Sequence, residues 1–184
     1  DPLVAYESRN VSILRPYGVW LVVSPFNFPF ALSGGPMGAA LVAGNTVVLK
    51  PATDTAWIAR LLVDCFRDAG IPDGVVNFVT GSGSTIGQAL VDSPEVDGIT
   101  FTGSFDVGMK MVQNNGKGNY VRPLILELGG KNPVIVSKNA DLERASIGII
   151  RSAFGLQGQK CSAASRVLIE DSVYDDMVSR LGDA

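Results

Sequence analysis

The chain has 184 residues, 46% hydrophobic and 18% charged, with a formal net charge of −3. That length suits one domain, or one domain with part of another, and its apolar share can bury a sizeable core. The acidic balance, with no basic patch interleaved with aromatics, excludes an electrostatic nucleic-acid binder.

The opening Asp1-Pro2-Leu3-Val4 has neither the basic nor the apolar pattern of a signal or transit peptide. It also lacks an initiator Met, so the chain reads as starting inside a longer protein. Residues Glu7 to Leu14 alternate weakly and carry charge, as an exposed or edge strand would. Gly18 to Val23 is a Val-rich apolar run, expected as a strand buried on both faces. No charge occurs between Arg15 and Lys50, but Pro25, Asn27, Pro29, Gly34, Gly35 and Pro36 interrupt the run. A buried strand, a loop and a buried helix over Ala31 to Ala43 are therefore expected, not a membrane span. Gly44-Asn45 stops that helix, and Thr46 to Leu49 reads as a second buried strand.

Asp54 is the expected cap of a helix over Thr55 to Ala69, with Ile58, Leu61, Leu62, Cys65 and Phe66 on its apolar face. Cys65 is accordingly expected as a packed core thiol. Val75 to Val79 is a strand, followed by Gly81 to Gly87, where Thr85 and Gln88 have capping-box spacing. Gly98 to Thr102 is a strand and Ser104 caps the next helix. Val121 to Leu128 and Pro133 to Val136 are strands, Asp141 to Phe154 a helix, Arg166 to Ile169 a strand, and Asp171 the cap of a last helix. This alternation implies an α/β fold, a mostly parallel sheet with helices on both faces, with Gly129-Gly130 as the candidate subdomain boundary.

In such folds ligands bind beyond the carboxyl ends of the strands. Polar or glycine-rich stretches follow four strand ends here: 24–29, 50–53, 81–87 and 101–104. Gly81 to Gly87 reads G-x-G-x-x-x-G, not the usual dinucleotide fingerprint, so nucleotide contact and an ordinary turn both fit it. Lys50 is a surface lysine by default, or a ribose or phosphate ligand over a crevice. Ser104 offers a helix start to a phosphate, or merely a cap. Asn27 either ties down its loop or donates to an oxyanion. Glu127, an acid inside an apolar strand, is a paired structural acid or a general base. Cys161 sits in a polar, glycine-rich stretch rather than among apolar neighbours. The chain has no histidine, so Cys-His and Ser-His mechanisms are excluded. Two cysteines make no disulfide framework, and a reduced cytoplasmic protein is expected, with the mitochondrial matrix as alternative.

Five stretches together resemble the aldehyde dehydrogenase superfamily: Ser24-Pro25-Phe26-Asn27-Phe28-Pro29, Gly44 to Pro51, Phe101-Thr102-Gly103-Ser104, Glu127-Leu128-Gly129-Gly130-Lys131 and Gly158-Gln159-Lys160-Cys161. The resemblance implies Cys161 as nucleophile, Asn27 as the side-chain donor of an oxyanion hole and Glu127 as general base. It implies dinucleotide contacts from Ser24, Pro25, Phe26, Lys50, Thr53, Gly83, Gly87, Gly103, Ser104, Val107 and Leu128. NAD is the implied cofactor, with NADP as the alternative because Thr53 stands where many NAD-specific members have Glu. No metal is implied. The implied domains are an oligomerisation strand and connection (1–17), a Rossmann-like dinucleotide domain (18–129) and the truncated start of a catalytic α/β domain (130–184).

Residues 154–166 are most similar to the pyrroline-5-carboxylate dehydrogenases, which implies glutamate γ-semialdehyde as substrate and Ser162 at its carboxylate. The resemblance further implies a homo-oligomer of a longer chain, with no nucleic-acid or membrane partner. The alternatives at this level are a CoA-acylating relative, against which Glu127 speaks, another semialdehyde dehydrogenase, and a non-catalytic nucleotide-binding or structural protein, against which the set Asn27, Glu127 and Cys161 speaks.

Overall fold

The computed structural model describes residues 3–5, 8–116 and 120–183. It divides into two compact units, Asp1–Glu127 and Leu128–Ala184. In the first, strands β1 (Leu3–Ala5) and β2 (Ser8–Asn10) form an antiparallel pair. Of the strand expected over residues 7–14, Glu7 lies outside the described residues and 11–14 are not strand.

A five-stranded sheet follows, built from β3 (Val19–Val23), β4 (Thr46–Lys50), β5 (Val76–Phe78), β6 (Gly98–Gly103) and β7 (Leu124–Leu128). Its order is β5-β4-β3-β6-β7, and the β3–β4, β3–β6 and β4–β5 pairs are parallel. Helices α1 (Ala31–Val42) and α2 (Ala56–Asp68) run outward from β3 in one direction, α3 (Gln88–Asp92) and α4 (Phe105–Asn115) in the other. Right-handed crossovers therefore place the two pairs on opposite faces. Period-2 alternation fills both faces. Trp20, Val22, Val47 and Leu49 pack with Met37, Ala40, Ala59 and Leu62, while Leu21 and Ile99, equally buried, alternate to the other side.

Asn45 explains how the edge of this core closes. It is 5% exposed, its Oδ1 accepts from the Tyr17 and Gly18 N–H groups at 2.8 and 3.0 Å, and its Nδ2 donates to the Ala40 carbonyl. One side chain thus ties the end of α1 to the start of β3. Three expected caps are corrected. A 3₁₀ turn (Thr53–Thr55) precedes α2, so Asp54 lies in that turn instead of capping the helix. Ser82 accepts from the Thr85 N–H and caps a π-helical turn (Gly83–Gly87), the role expected of Thr85. Asp171 likewise falls in a 3₁₀ turn before the last helix.

In the second unit, β8 (Asn132–Val136) pairs in parallel with β9 (Ala164–Ile169) through α5 (Leu142–Phe154). Asp141 caps α5 by accepting from the Arg144 N–H. The helix α6 (Tyr174–Gly182) completes a core of Val136, Ile149 and Met177. Ile135 and Leu168, on the other face of this two-stranded sheet, are exposed.

Candidate active site

A crevice of about 420 Å³ opens at the carboxyl ends of β3, β4 and β6. Here β3 gives one edge to β4 and the other to β6, so the connecting loops diverge and leave a gap. Val23, Lys50, Gly83, Gly87, Phe101 and Val107 are among its walls. Four expected dinucleotide residues, far apart in sequence, therefore share one cavity.

Lys50 is 4% exposed, which overturns the default of a surface lysine. Alternation is the reason: Val47 and Leu49 face the α1 side, so Lys50 turns to the crevice. Its Nζ donates to the Pro51 carbonyl at 3.0 Å, and burial holds its ammonium below the ordinary lysine value. A Cβ on Gly87 would lie 3.4 Å from Lys50 Cε, whereas one on Gly83 would meet nothing within 4 Å. The glycines let the turn follow the lysine stem and keep the cavity clear. Thr53 is exposed and donates to the Gly81 carbonyl at 3.2 Å, joining the loop after β4 to the loop after β5.

Ser24, Pro25 and Phe26 continue β3. The Ser24 N–H donates to the Lys50 carbonyl at 3.2 Å. The Ser24 and Ser33 hydroxyls are 2.7 Å apart, and Ser33 Oγ donates to the Pro29 carbonyl at 2.6 Å. Ser33 has one hydroxyl proton, so Ser24 is the donor between them. This relay pins the loop that holds half-buried Asn27 between exposed Phe26 and Phe28. Gly103 ends β6 and Ser104 starts α4 through its backbone. Its hydroxyl makes no capping bond, contrary to expectation. Glu127 is exposed rather than enclosed, because β7 alternates, with Leu124, Leu126 and Leu128 turned inward and Ile125 and Glu127 outward.

Asn27 and Glu127 belong to the first unit, Cys161 and Ser162 to the second. Both of the latter are exposed, on the loop between α5 and β9. Leu156, Gln157 and Gly158 have left-handed backbone there, with φ of 54, 57 and 71°. Asn132 was not singled out by the sequence, although its Nδ2 donates to the Cys161 carbonyl at 2.6 Å and to the Ala163 carbonyl at 3.1 Å. The sequence carries no local signal for this, because the two carbonyl partners lie 29 and 31 residues on. Crevice residues Lys110 and Met111 were also missed, because they follow ordinary helical patterning on α4.

Cys65 is exposed, not packed. The buried face of α2 runs through Ala59 and Leu62, which turns Ile58, Leu61 and Cys65 outward. A larger cavity, about 460 Å³, lies by Asp92, Asn115, Tyr120 and Arg122 and contains none of the expected site residues. The Arg122 guanidinium there is already engaged with the Val91, Ser93 and Val96 carbonyls. Among the described residues, no group of three or more His, Cys, Asp or Glu is arranged to hold a metal ion. No helix among them is long and apolar enough to cross a membrane.

Residues 2–184 match the aldehyde dehydrogenase family. The chain belongs to that family. It is 47% identical over 185 residues to a 1-pyrroline-5-carboxylate dehydrogenase of Bacillus cereus, covering 96% of this chain and 36% of that relative. A Thermus 1-pyrroline-5-carboxylate dehydrogenase with bound NAD superposes with a TM-score of 0.88 at 39% identity, over 91% of this chain and 33% of that one. An NADP-dependent Escherichia coli enzyme gives a TM-score of 0.93 at 38% identity, over 100% of this chain and 38% of that one. The aldehyde dehydrogenase segment described here thus spans about a third of the length of these relatives.

Proposed function

We propose that the whole protein containing this segment oxidises an aldehyde to its carboxylic acid with NAD, and accepts NADP as a second dinucleotide. One observation supports this above the others: Lys50, Gly83, Gly87 and Val107 meet in one crevice at the strand-order reversal. The cavity volume, the buried ammonium of Lys50 and the glycine-lined wall fit the adenosine half of a dinucleotide. The first turn of α4, with the Ser104 hydroxyl not occupied in capping, fits its pyrophosphate. Thr53 leaves no carboxylate to repel a 2′-phosphate.

When bound, the nicotinamide supplies the hydride acceptor that turns a thiohemiacetal into a thioester. This chain's residues do the rest. Cys161, as thiolate, adds to the aldehyde carbon. Asn27 and the Cys161 N–H hold the oxyanion, a donor pair of which each member is worth about 10²–10³ in rate. Glu127 then takes a proton from the water that releases the acid, and its outward position on β7 keeps it open to solvent. The substrate we propose is glutamate γ-semialdehyde, with Ser162 at its carboxylate. The 47% identity to the Bacillus cereus relative supports this. A reduced compartment, the cytoplasm first, keeps the thiol available.

The test is single-turnover NADH formation by the whole protein with glutamate γ-semialdehyde. Cys161→Ala should abolish the burst, and Glu127→Gln should keep the burst while thioester accumulates. A Cys161→Ala burst equal to the parent's would end the reading.

A further inference from the structure

We propose that Asn132 is a positioning residue for the Cys161 thiol. The inference rests on the reading of Cys161 as nucleophile. Asn132 opens β8 and pairs in register with Ala164, the residue that opens β9. The register then jumps, Pro133 pairing with Arg166, so the ladder is irregular where the Cys161 loop joins the sheet. At that junction both N–H bonds of the Asn132 amide are used, one on the Cys161 carbonyl and one on the Ala163 carbonyl.

The bond to Ala163 lies next to the strand and could serve pairing alone. The bond to Cys161 reaches three residues back from Ala164, outside the ladder, and at 2.6 Å it is the shorter of the two. Fixing that carbonyl fixes the Cys161–Ser162 peptide plane, and with it ψ of Cys161 and the direction in which its Cβ and sulfur leave the backbone. The opposite side of the loop contains two backbone turns, Gln159 N–H to the Leu156 carbonyl and Lys160 N–H to the Gly158 carbonyl. Those turns pass through the left-handed residues Leu156 and Gln157, a conformation that costs non-glycine residues free energy. Asn132 ties the Cys161 carbonyl itself to the start of β8, while Ser152 accepts from the Ala164 N–H further along. Gly130 lies against this junction: a Cβ there would sit in van der Waals contact, 3.5 Å from the Asn132 Oδ1 and 3.9 Å from the Cys161 carbonyl oxygen.

Asn132→Asp keeps the shape and removes both donors. In the whole protein with Cys65→Ser, which leaves Cys161 as the one thiol of this segment, two rates are read. These are the hydride burst, and iodoacetamide alkylation of Cys161 across pH. A nucleophile displaced by about 1 Å loses up to about 100-fold in rate, so Asn132→Asp should slow the burst by about 10- to 100-fold. The NAD KM should change less than about twofold, because Asn132 does not belong to the unit that holds the crevice. Asn132→Ser, which keeps one hydroxyl donor, should fall between parent and Asp, and it is the variant read if Asn132→Asp does not fold. A folded Asn132→Asp, or in its place Asn132→Ser, with parental burst and alkylation rates would overturn the inference while an inactive Cys161→Ala left the functional reading standing. An active Cys161→Ala would remove both.

Discussion

Ser33→Ala tests the relay that holds the Asn27 loop. Ser33 is fully buried and Ser24 is 4% exposed. Removing the Ser33 hydroxyl leaves the Ser24 proton without an acceptor and the Pro29 carbonyl without its donor. A buried group left unpaired costs about 1–3 kcal/mol, and Pro29 is only partly buried, so the loss should be about 2–4 kcal/mol. Ser24→Ala keeps the Ser33–Pro29 bond and removes only a donor from a hydroxyl, which should cost about 0.5–1.5 kcal/mol. The order of the two variants follows from the proton direction alone. Urea unfolding monitored by Trp20 emission reads the first unit directly, in a Trp57→Phe background because Trp57 is 70% exposed and would add its own signal. A Ser24→Ala loss equal to or above that of Ser33→Ala would refute the assigned direction. Losses below about 0.5 kcal/mol for both would show that water serves these groups and that the relay does not hold the loop.

Lys50→Met should weaken dinucleotide binding while stabilising the unliganded fold by about 0.5–2 kcal/mol, as removal of a functional buried charge commonly does. The Lys50 ammonium is held below its ordinary value of 10.5 by burial, so the folded state binds fewer protons than the unfolded. Stability should therefore rise with pH between that depressed value and 10.5, and denaturation across this window should show the rise lost in Lys50→Met. Thr53→Glu should lower kcat/KM for NADP relative to NAD at least about fivefold, since two unit charges 4 Å apart repel by about 1 kcal/mol even in water. Equal loss with both dinucleotides would remove Thr53 from the ribose site. Gln157→Gly should raise Tm by about 2 °C, relief of left-handed strain of about 1–2 kcal/mol being partly offset by glycine's chain entropy. A fall in Tm would show that the Gln157 side chain holds the turn.

Much of the fold was legible because periodicity reports it. The apolar runs at 19–23 and 46–50 form the central strands, and Asp141 caps α5 as expected. What periodicity cannot report is which flank of a broad apolar stripe is buried. Helix α2 has a broad apolar stripe, and tertiary packing buried its Ala59, Leu62 and Phe66 flank, leaving Ile58, Leu61 and Cys65 outside. Glu127 misled for the related reason that an apolar strand can leave one of its two faces uncovered, here the face of Ile125 and Glu127. The site was legible where residue type and strand end coincide, as at Lys50 and Gly87. Asn132 was not, because a carbonyl partner 29 residues away leaves no local trace.

The two-stranded sheet of the second unit has a practical consequence. Among the described residues β8 and β9 pair only with each other, which leaves each an outer backbone edge, and Ile135 and Leu168 add a greasy face beside it. An exposed strand edge beside an apolar face templates intermolecular strand addition. When the 184-residue chain is produced by itself, precipitation should start at this ribbon, and a lysine at position 135 or 168 is the first solubilising change to try.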